Sequence, residues 1–208
     1  MGFPERLVLA TRNPGKVREI LAITADWPVD WITHEHVGWT EIEETGLTYL
    51  ENALLKARSV AESTREATLA EDSGLEVDAL GGAPGPRSAR YAGAEADDAA
   101  NLRALLQAMA GVPRPGRTAR YRAVAVVAWP DGRHVWAEGQ CEGLLRTKGR
   151  GAGGFGYDPI FEPLGSDRTM AELEPEEKDR ISHRGRALRA LREILTTDGN
   201  GNPRTDVE

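Results

Sequence analysis

The sequence predicts an α/β protein built on a mixed sheet, and three patterns carry this prediction. Short apolar runs typical of buried strands alternate with stretches of helical periodicity. Two apolar runs flank a Pro-Asp-Gly-Arg turn at residues 130–133, which is typical of an antiparallel hairpin. Alternating strands and helices favour parallel neighbours, whereas a hairpin gives antiparallel ones, so we expect both kinds of pairing. With no internal repeat or linker, one domain is expected over residues 1–196, followed by a polar, disordered tail over 197–208.

The first quarter of the chain predicts a strand, a turn and two helices. Residues 6–11 have the pattern of a buried strand, residues 12–15 are turn formers, and residues 16–23 have helical spacing. Such a unit directs backbone N–H groups and a helix N-terminus toward one point, which favours an anion there. Residues 48–51 match a capping box, so a second helix is expected to begin at that point.

The rest of the chain shows the same kinds of signal. Asp97 and Asp98 can start a helix that Gly111 ends. The other expected elements are strands over 118–129 and 134–141, a glycine-rich loop over 149–159, a helix over 172–180 interrupted by Pro175, and a final helix over 184–195.

Composition excludes several classes of function. The formal net charge is −7, so the chain lacks the basic excess that a nucleic-acid polymer requires of its partner. Cys141 is the single cysteine, which excludes an internal disulfide and fits a reducing compartment. The longest apolar run, residues 123–129, is too short to span a bilayer. We therefore expect a cytoplasmic protein with neither a membrane nor a nucleic-acid polymer as partner.

Two adjacent carboxylates, Glu71 and Asp72, follow the apolar run 67–70. That run predicts a strand, which Ser73 and Gly74 are expected to end. Because strand residues alternate between faces, the two carboxylates should point in different directions. Open α/β sheets bind ligands at the carboxyl ends of their strands. The segment, with the two arginines of the loop that follows, indicates a metal ion and an anionic substrate; a surface turn with solvated charges is the alternative.

Two glycine-containing segments match nucleotide-binding motifs only in part. Residues 11–16 resemble a P-loop, but Ala10 and Val17 occupy the positions where the template requires Gly and Ser or Thr. The turn, the helix N-terminus and Lys16 still suit a phosphate group. Residues 149–154 match G-x-G-x-x-G but open no amphipathic helix, so we reject a dinucleotide-binding fold.

An aromatic motif follows that loop. Phe155 and Tyr157 are separated by Gly156, so their rings can sandwich a flat base, and Asp158 can accept hydrogen bonds from it. Packing of Phe155 in the core is the alternative, and it is favoured when this motif is taken alone. The motif becomes informative only in combination with others.

Further polar clusters are candidates for the functional site. Residues 41–46 offer carboxylates before the capped helix, which is usually a solvated face but can supply the additional ligand of a magnesium site. Lys178 and the run 182–184 lie at a helix break that can turn donors inward. His34-Glu35-His36 lacks the spacing of a zinc motif, and no nucleophile signature is present.

Taken together and in order, these segments resemble the inosine triphosphate pyrophosphatase family of noncanonical purine nucleoside triphosphate pyrophosphohydrolases, also called dITP/XTP pyrophosphatases. The matching segments are 10–16 (ATRNPGK), 44–46 (ETG), 51–53 (ENA), 71–75 (EDSGL), 81–85 (GGAPG), 154–159 (GFGYDP) and 182–184 (SHR). The resemblance runs from residue 6 to residue 196. It implies an elongated mixed α/β sheet flanked by helices, two lobes with the active site in the cleft between them, and a homodimer.

The resemblance also implies a role for particular residues. Asp72 would be the general base and, with Glu44, a Mg²⁺ ligand; Glu71, where bacterial members often have Asp, is a candidate third ligand. The substrate-binding residues would be Thr11, Arg12, Asn13, Pro14, Gly15, Lys16, Lys56, Ser73, Phe155, Gly156, Tyr157, Asp158, Lys178, His183 and Arg184.

The chemistry of these groups suits attack of water on the α-phosphorus of ITP, dITP or XTP, which releases pyrophosphate and a monophosphate. Lys16 and Lys56 would compensate charge on the leaving pyrophosphate. Donors such as Lys178 and Arg184 would form hydrogen bonds with the oxygen of a 6-oxo purine and would disfavour the 6-amino group of adenine. Two alternatives stay open: a pyrophosphatase of pyrimidine or other modified nucleotides, and a non-catalytic nucleotide sensor, against which the carboxylates argue.

Overall fold

The fold is described from a computed structural model that covers residues 2–40 and 42–197. Its strands are β1 (Arg6–Leu9), β2 (Asp30–Ile32), β3 (Ala67–Val77), β4 (Thr118–Ala128), β5 (His134–Leu145) and β6 (Phe161–Pro163). Its helices are α1 (Pro14–Ile23), α2 (Tyr49–Thr64), α3 (Asp98–Ala108), α4 (Pro175–Ile181) and α5 (His183–Thr196). Of the expected tail, only Thr197 lies among the described residues.

The six strands form one sheet in the order β2-β1-β3-β4-β5-β6. β1 pairs in parallel with both β2 and β3, whereas β5 and β6 are antiparallel. β4 and β5 are neighbours joined by a tight turn, in which Trp129 donates to the Arg133 carbonyl. The prediction of a mixed α/β sheet with flanking helices is confirmed. The active site between two lobes and the single domain over 1–196 stay predictions.

The chain divides into two compact units. Unit 1 contains Met1–Asp72, Ala123–Gly139 and Arg184–Glu208, and unit 2 contains Ser73–Arg122 and Gln140–His183. Within the stretches that the structure describes, no helix is long and apolar enough to cross a membrane.

Unit 1 buries apolar side chains on both faces of its strands. Leu7 and Leu9 of β1 pack in one cluster with residues of α1 and α5, whereas Val8 packs in a second cluster with residues of α2. The same alternation continues in β3, where Leu69 belongs to the first cluster and Ala70 to the second. The period of two along each strand therefore decides which helix a side chain meets.

Unit 2 has one apolar cluster that joins α3 to the sheet. It contains Leu105 of α3 together with residues of β3, β4, β5 and β6, among them Tyr121 and Phe161. The rings of Tyr121 and Phe161 lie 4.6 Å apart between centroids. Tyr157, from the aromatic motif, also belongs to this cluster.

Local signals placed most helix boundaries correctly. The capping box is present, since Thr48 accepts from the Glu51 N–H while the Glu51 carboxylate accepts from the Thr48 N–H. Asn13 caps α1, which begins at Pro14. Pro175 does not interrupt a helix but starts α4, because a proline at the first helical position loses no intrahelical hydrogen bond.

The predicted end of β3 was wrong, and β5 also continues past the predicted residue 141 to Leu145. Ser73 and Gly74 do not end β3, which continues to Val77. The pairing of β3 with β1 covers only Ala67–Leu69, and beyond it β4 is the neighbouring strand in the sheet. Pairing with a neighbour holds even weak strand formers in a strand. The carboxylates Glu71 and Asp72 therefore lie within a long strand and not at its carboxyl end. The short strands β2 and β6 were not predicted.

Candidate active site

Glu71 and Asp72 project to opposite sides of β3, as the strand period requires. A carboxylate oxygen of Glu71 lies 2.9 Å from the ammonium of Lys16 on α1. Oδ2 of Asp72 lies 3.2 Å from the side-chain amide of Asn52 on α2. Both carboxylates are almost fully buried, at 2% and 3% exposure. Two adjacent acids thus belong to two different polar clusters.

The Asp72 cluster is organised around the ammonium of Lys56. Its Nζ lies 2.7 Å from a carboxylate oxygen of Glu44 and 3.7 Å from Oδ1 of Asp72. It also donates to the backbone carbonyl of Glu71 at 2.9 Å. One ammonium is therefore bracketed by two carboxylates, and it fixes the loop that carries Glu44 against β3.

Asn52 connects the same loop to Asp72. Its Nδ2 donates to Asp72, and its Oδ1 accepts from the backbone N–H of Gly46 at 2.8 Å. A Cβ at Gly46 would lie 2.6 Å from this Oδ1, so the close approach requires glycine. The amide is completely buried. Asn52 was not among the predicted site residues, although its spacing of four from Lys56 on one helix indicated that the two side chains are neighbours.

The electrostatics of this cluster favour an additional cation. Burial raises the pKa of Asp72, and the nearby Lys56 and Lys16 do not cancel this effect. The pKa of Lys56 is raised despite burial, which acts against it, because the Asp72 and Glu44 carboxylates stabilise its charge. Two carboxylates, Asp72 and Glu44, lie against the single ammonium of Lys56 in a largely buried place.

The oxygen donors of Glu44 and Asp72 fit a magnesium ion. Mg²⁺ takes oxygen ligands and is typically held by one or two carboxylates, with water and substrate phosphates completing its shell. Within the described part of the chain, no group of three or more His, Cys, Asp or Glu side chains is arranged to hold a metal. Glu71 lies on the α1 side and pairs with Lys16, and its role as a third ligand stays a prediction.

The turn at residues 11–16 is held in place by its own side chains. Asn13 accepts at Oδ1 from the backbone N–H of Lys16 at 3.1 Å, and Thr11 accepts from the N–H of Asn13 at 3.2 Å. Arg12 donates to the carbonyl of Trp39 at 2.6 Å and lies over its ring. The N-terminus of α1 and the side chain of Lys16 are thereby presented in one fixed arrangement.

Arg184, at the start of α5, lies in a buried ion-pair cluster. It is 1% exposed, and its guanidinium pairs with Glu19 of α1 and with Glu71, 3.1 Å from Oε1. All three residues belong to unit 1. Its two terminal nitrogens are directed to these two carboxylates, and a contact of Arg184 with the base stays a prediction. Glu19 carried no local sequence signal for this role.

The second polar cluster, in unit 2, is centred on Asp158. Its Oδ2 accepts from Nζ of Lys178 at 2.6 Å and from the backbone N–H of Phe155 at 2.9 Å. Its Oδ1 lies 3.3 Å from the hydroxyl of Tyr121. The Lys178 ammonium also lies 5.1 Å from the centroid of the Phe155 ring. Asp158 thus holds a lysine beside an aromatic ring, and Tyr121 is a member that sequence reasoning missed.

The rings of Phe155 and Tyr157 do not form the predicted sandwich. Tyr157 is buried in the apolar cluster of unit 2, where its hydroxyl donates to the Ser88 carbonyl at 2.8 Å. Burial also raises the pKa of this hydroxyl. Phe155 is only half-buried. Core packing, which was the alternative considered for Phe155, therefore applies to Tyr157 instead. Phe155 is the aromatic side chain of this motif that can stack on a base.

His183 and Gly156, also in unit 2, each contact a neighbouring element. His183 is buried, and its ring stacks on Tyr121 at 4.6 Å between centroids with 9° between the planes. The backbone N–H of Gly156 donates to a carboxylate oxygen of Asp98 at 2.8 Å. The loop that carries Phe155 is therefore tied to α3.

The predicted site residues thus fall into two groups. Unit 1 contains Thr11, Arg12, Asn13, Pro14, Gly15, Lys16, Glu44, Lys56, Glu71, Asp72 and Arg184. Unit 2 contains Ser73, Phe155, Gly156, Tyr157, Asp158, Lys178 and His183.

The chain is similar to known proteins over most of its length. The model of the Ham1 family matches residues 7–194. Proteins named dITP/XTP pyrophosphatase from Desulforamulus reducens and Streptomyces coelicolor are each 50% identical over 91% of this chain, and over 95% and 98% of their own lengths. The solved structure of a HAM1 protein from Coxiella burnetii has a TM-score of 0.83 at 40% identity, covering 92% of this chain and 98% of that one. The resemblance drawn from the sequence is thereby confirmed, and the chain belongs to the Ham1 family.

Proposed function

We propose that this protein hydrolyses noncanonical purine nucleoside triphosphates, namely ITP, dITP and XTP, to the monophosphate and pyrophosphate in a Mg²⁺-dependent reaction. The observation that carries the proposal is the buried cluster in which the carboxylates of Asp72 and Glu44 share the ammonium of Lys56. Such a cluster beside a triphosphate is useful chiefly for metal-dependent catalysis. The names of the relatives, dITP/XTP pyrophosphatase, support the same substrate class.

Asp72 acts as the base that orients and deprotonates the attacking water. Its raised pKa makes its carboxylate more basic than an ordinary aspartate, which suits proton abstraction near neutral pH. Asn52 fixes one oxygen of the carboxylate, so that the other remains directed toward Lys56 and the water. When bound by Glu44 and Asp72, Mg²⁺ supplies charge neutralisation and lowers the pKa of the attacking water.

The triphosphate binds to the cations of unit 1. Lys16 and the N-terminus of α1 offer positive charge and backbone donors next to the turn at residues 11–16. Lys56 compensates charge that develops on the leaving pyrophosphate. Ser73 directly follows the base in sequence and stays a predicted substrate contact.

The purine base binds to the Asp158 cluster of unit 2. Phe155 offers a half-buried ring for stacking, and Asp158 holds the Lys178 ammonium beside it. An ammonium donates hydrogen bonds but cannot accept them. The Lys178 ammonium can therefore donate a hydrogen bond to the 6-oxo group of a purine. The 6-amino group of adenine is itself a donor and cannot pair with it. Polar complementarity of this kind can discriminate by roughly 10⁴-fold. His183 stays a predicted contact of the base.

The test is product analysis with ITP, dITP, XTP, GTP and ATP, with and without Mg²⁺, assaying pyrophosphate and orthophosphate separately. We expect Mg²⁺-dependent release of pyrophosphate from the first three substrates and poor turnover of ATP. Orthophosphate as the first product would place the attack at the γ-phosphorus and reject the mechanism. Tight binding of ITP without any product would make the protein a nucleotide sensor. A homodimer and a cytoplasmic location remain predictions of the family resemblance.

A further inference from the structure

We propose that Arg184 is a positioning residue for the phosphate-binding lysine: its guanidinium holds the Glu71 carboxylate, and Glu71 in turn fixes the ammonium of Lys16 toward the triphosphate. The proposal rests on the proposed function and assigns a role to a buried ion-pair chain that neither holds the metal nor contacts the base.

The geometry is a chain of ion pairs that leads from the interior toward the surface. Arg184 NH2 lies 3.1 Å from Oε1 of Glu71, and Nζ of Lys16 lies 2.9 Å from Oε2 of the same carboxylate. The side chains of Arg184 and Glu71 are 2% and 1% exposed, whereas that of Lys16 is 17% exposed. The accessible end of the chain is therefore the ammonium, and the two buried members define where it points.

Glu19 ties the chain to the helix that carries Lys16. It follows Lys16 by three residues on α1, which places both side chains on one helix face, and it pairs with the second terminal nitrogen of Arg184. Arg184 thereby spans from α1 to β3. Two carboxylates, Glu19 and Glu71, thus compensate the charges of Arg184 and Lys16, and buried charges persist when they are paired in this way.

The planar fork of arginine is essential to this arrangement. Two terminal nitrogens reach two different carboxylates at the same time, which the single point charge of a lysine does not reproduce. Burial alone would lower the pKa of Arg184, but Glu71 and Glu19 outweigh it and raise that pKa. Arg184→Lys therefore keeps the positive charge and loses one of the two anchors, which frees Glu71 to shift with Lys16.

The experiment is a double-mutant cycle between Arg184→Lys and Lys16→Met, with kcat and KM measured for ITP and ATP. We expect Arg184→Lys to raise KM for ITP by about 10-fold, equivalent to about 1.4 kcal/mol, and to leave the ratio of kcat/KM between ITP and ATP unchanged. In the background of Lys16→Met, the same change should have less than about a 3-fold effect, because the residue it positions is gone.

Two results would overturn the proposal while the proposed function stands. Effects that multiply in the double variant would mean that Arg184 does not act through Lys16. A lower preference for ITP over ATP in Arg184→Lys would mean that it acts on the base. If the wild-type protein releases no pyrophosphate from ITP, the proposed function fails and this proposal falls with it.

Glu19→Gln provides a second variant in case Arg184→Lys does not fold. Glu19 is partly exposed, and its replacement leaves the Arg184–Glu71 pair in place while one anchor to α1 is weakened. We expect KM for ITP to rise about 3-fold, again only when Lys16 is present. The matched control is Glu62→Gln, at an exposed position of α2, which should leave KM unchanged. Equal KM values for the two glutamine variants would contradict the proposal.

Discussion

Asn52 donates its side-chain amide to Oδ2 of Asp72 at 3.2 Å, while its carbonyl oxygen accepts from the N–H of Gly46 at 2.8 Å. One fully buried amide therefore holds both the proposed base and the loop that carries Glu44, which it contacts at Gly46, two residues after Glu44. Because both proposed metal-binding carboxylates depend on this link, the position of Asn52 matters to chemistry although it needs no contact with substrate.

Asn52→Ala is expected to lower kcat for ITP by about 10²-fold, because a small displacement of a catalytic group has an effect of that size. KM should change much less, since the lysines and the α1 N-terminus that hold the triphosphate are untouched. Steady-state kinetics with ITP and saturating Mg²⁺ measure both constants.

Asn101→Ala is the matched control. Asn101 is also a buried asparagine, and it bonds the backbone of Ala92 and Ala89 in unit 2. We expect a similar loss of Tm and a kcat within about 3-fold of wild type, because the two variants differ chiefly in the link to Asp72. Equal kcat losses in the two variants would mean that Asn52 is only structural.

Gly46→Ala tests the same link without removing the amide. A methyl group at this position would lie 2.6 Å from Oδ1 of Asn52 and 2.7 Å from Cβ of Glu51, so the loop or the amide must move. We expect kcat to fall in the same direction as in Asn52→Ala, and the double variant to be no slower than the slower single one. Turnover at the wild-type rate would show that the loop tolerates the displacement.

Asp72→Asn is expected to lower turnover by about 10²–10⁴-fold, the usual contribution of a general base, and to make the folded protein more stable. Burial raises the pKa of Asp72, so its ionised form is held at a free-energy cost that an amide avoids. Lys56 keeps Glu44 as its partner. Calorimetry should give a higher Tm near pH 8 for the variant, and a rise of about 2–4 °C corresponds to 1 kcal/mol at this size.

The gain in stability should grow with pH. A carboxyl with a raised pKa binds its proton more tightly in the folded chain, so wild-type stability falls as pH rises above the ordinary aspartate pKa of about 3.9. The variant does not titrate there, and its advantage should be small near pH ~4 and largest near pH ~8. Asp131→Asn is the control, because a hydrogen bond from Arg133 lowers the pKa of Asp131 and reverses the sign. An advantage of Asp72→Asn that does not vary with pH would contradict the account.

Local patterns predicted the directions of side chains within elements. The sequence predicted that Glu71 and Asp72 point in different directions, and in the structure Glu71 lies on the α1 side of β3 and Asp72 on the α2 side. The length of β3 was not predictable, because Ser73 and Gly74 are weak strand formers that lie beyond the pairing with β1 and have β4 as their neighbouring strand. Tertiary context overrode local propensity at that point.

Partners far apart in sequence were not predictable. Arg184 is 113 residues from Glu71 and 165 from Glu19, and no local spacing records such pairs. Charge and motif identified Arg184 as important, yet they did not indicate which group it meets. In the same way, Phe155 and Tyr157 have equivalent local signals, and burial in the unit 2 core separates them.

Lys178→Ala is expected to reduce the preference for ITP over ATP by at least about 10-fold. The ammonium is held beside Phe155 by Asp158 and is the proposed donor to the 6-oxo group. Most of the effect should appear as a loss of kcat/KM for ITP, because adenine gains nothing from this donor. Competition between ITP and ATP in one reaction measures the ratio directly. Lys148→Ala, at an exposed position of the same unit, is the control. An unchanged ratio in Lys178→Ala would remove Lys178 from the base site.

Tyr157→Phe is expected to change mainly the stability of the protein, whereas Phe155→Ala is expected to change mainly KM for ITP. Tyr157→Phe removes a buried hydrogen bond to the Ser88 carbonyl, which should cost about 1 kcal/mol of stability and leave KM for ITP unchanged. Phe155→Ala removes the half-buried ring beside Lys178; base stacking on an aromatic ring contributes about 1–3 kcal/mol, so KM should rise about 5- to 150-fold. Thermal unfolding and ITP kinetics on both variants distinguish the two roles. A raised KM in Tyr157→Phe with a normal Tm would restore Tyr157 to the base site and reject its assignment to the core.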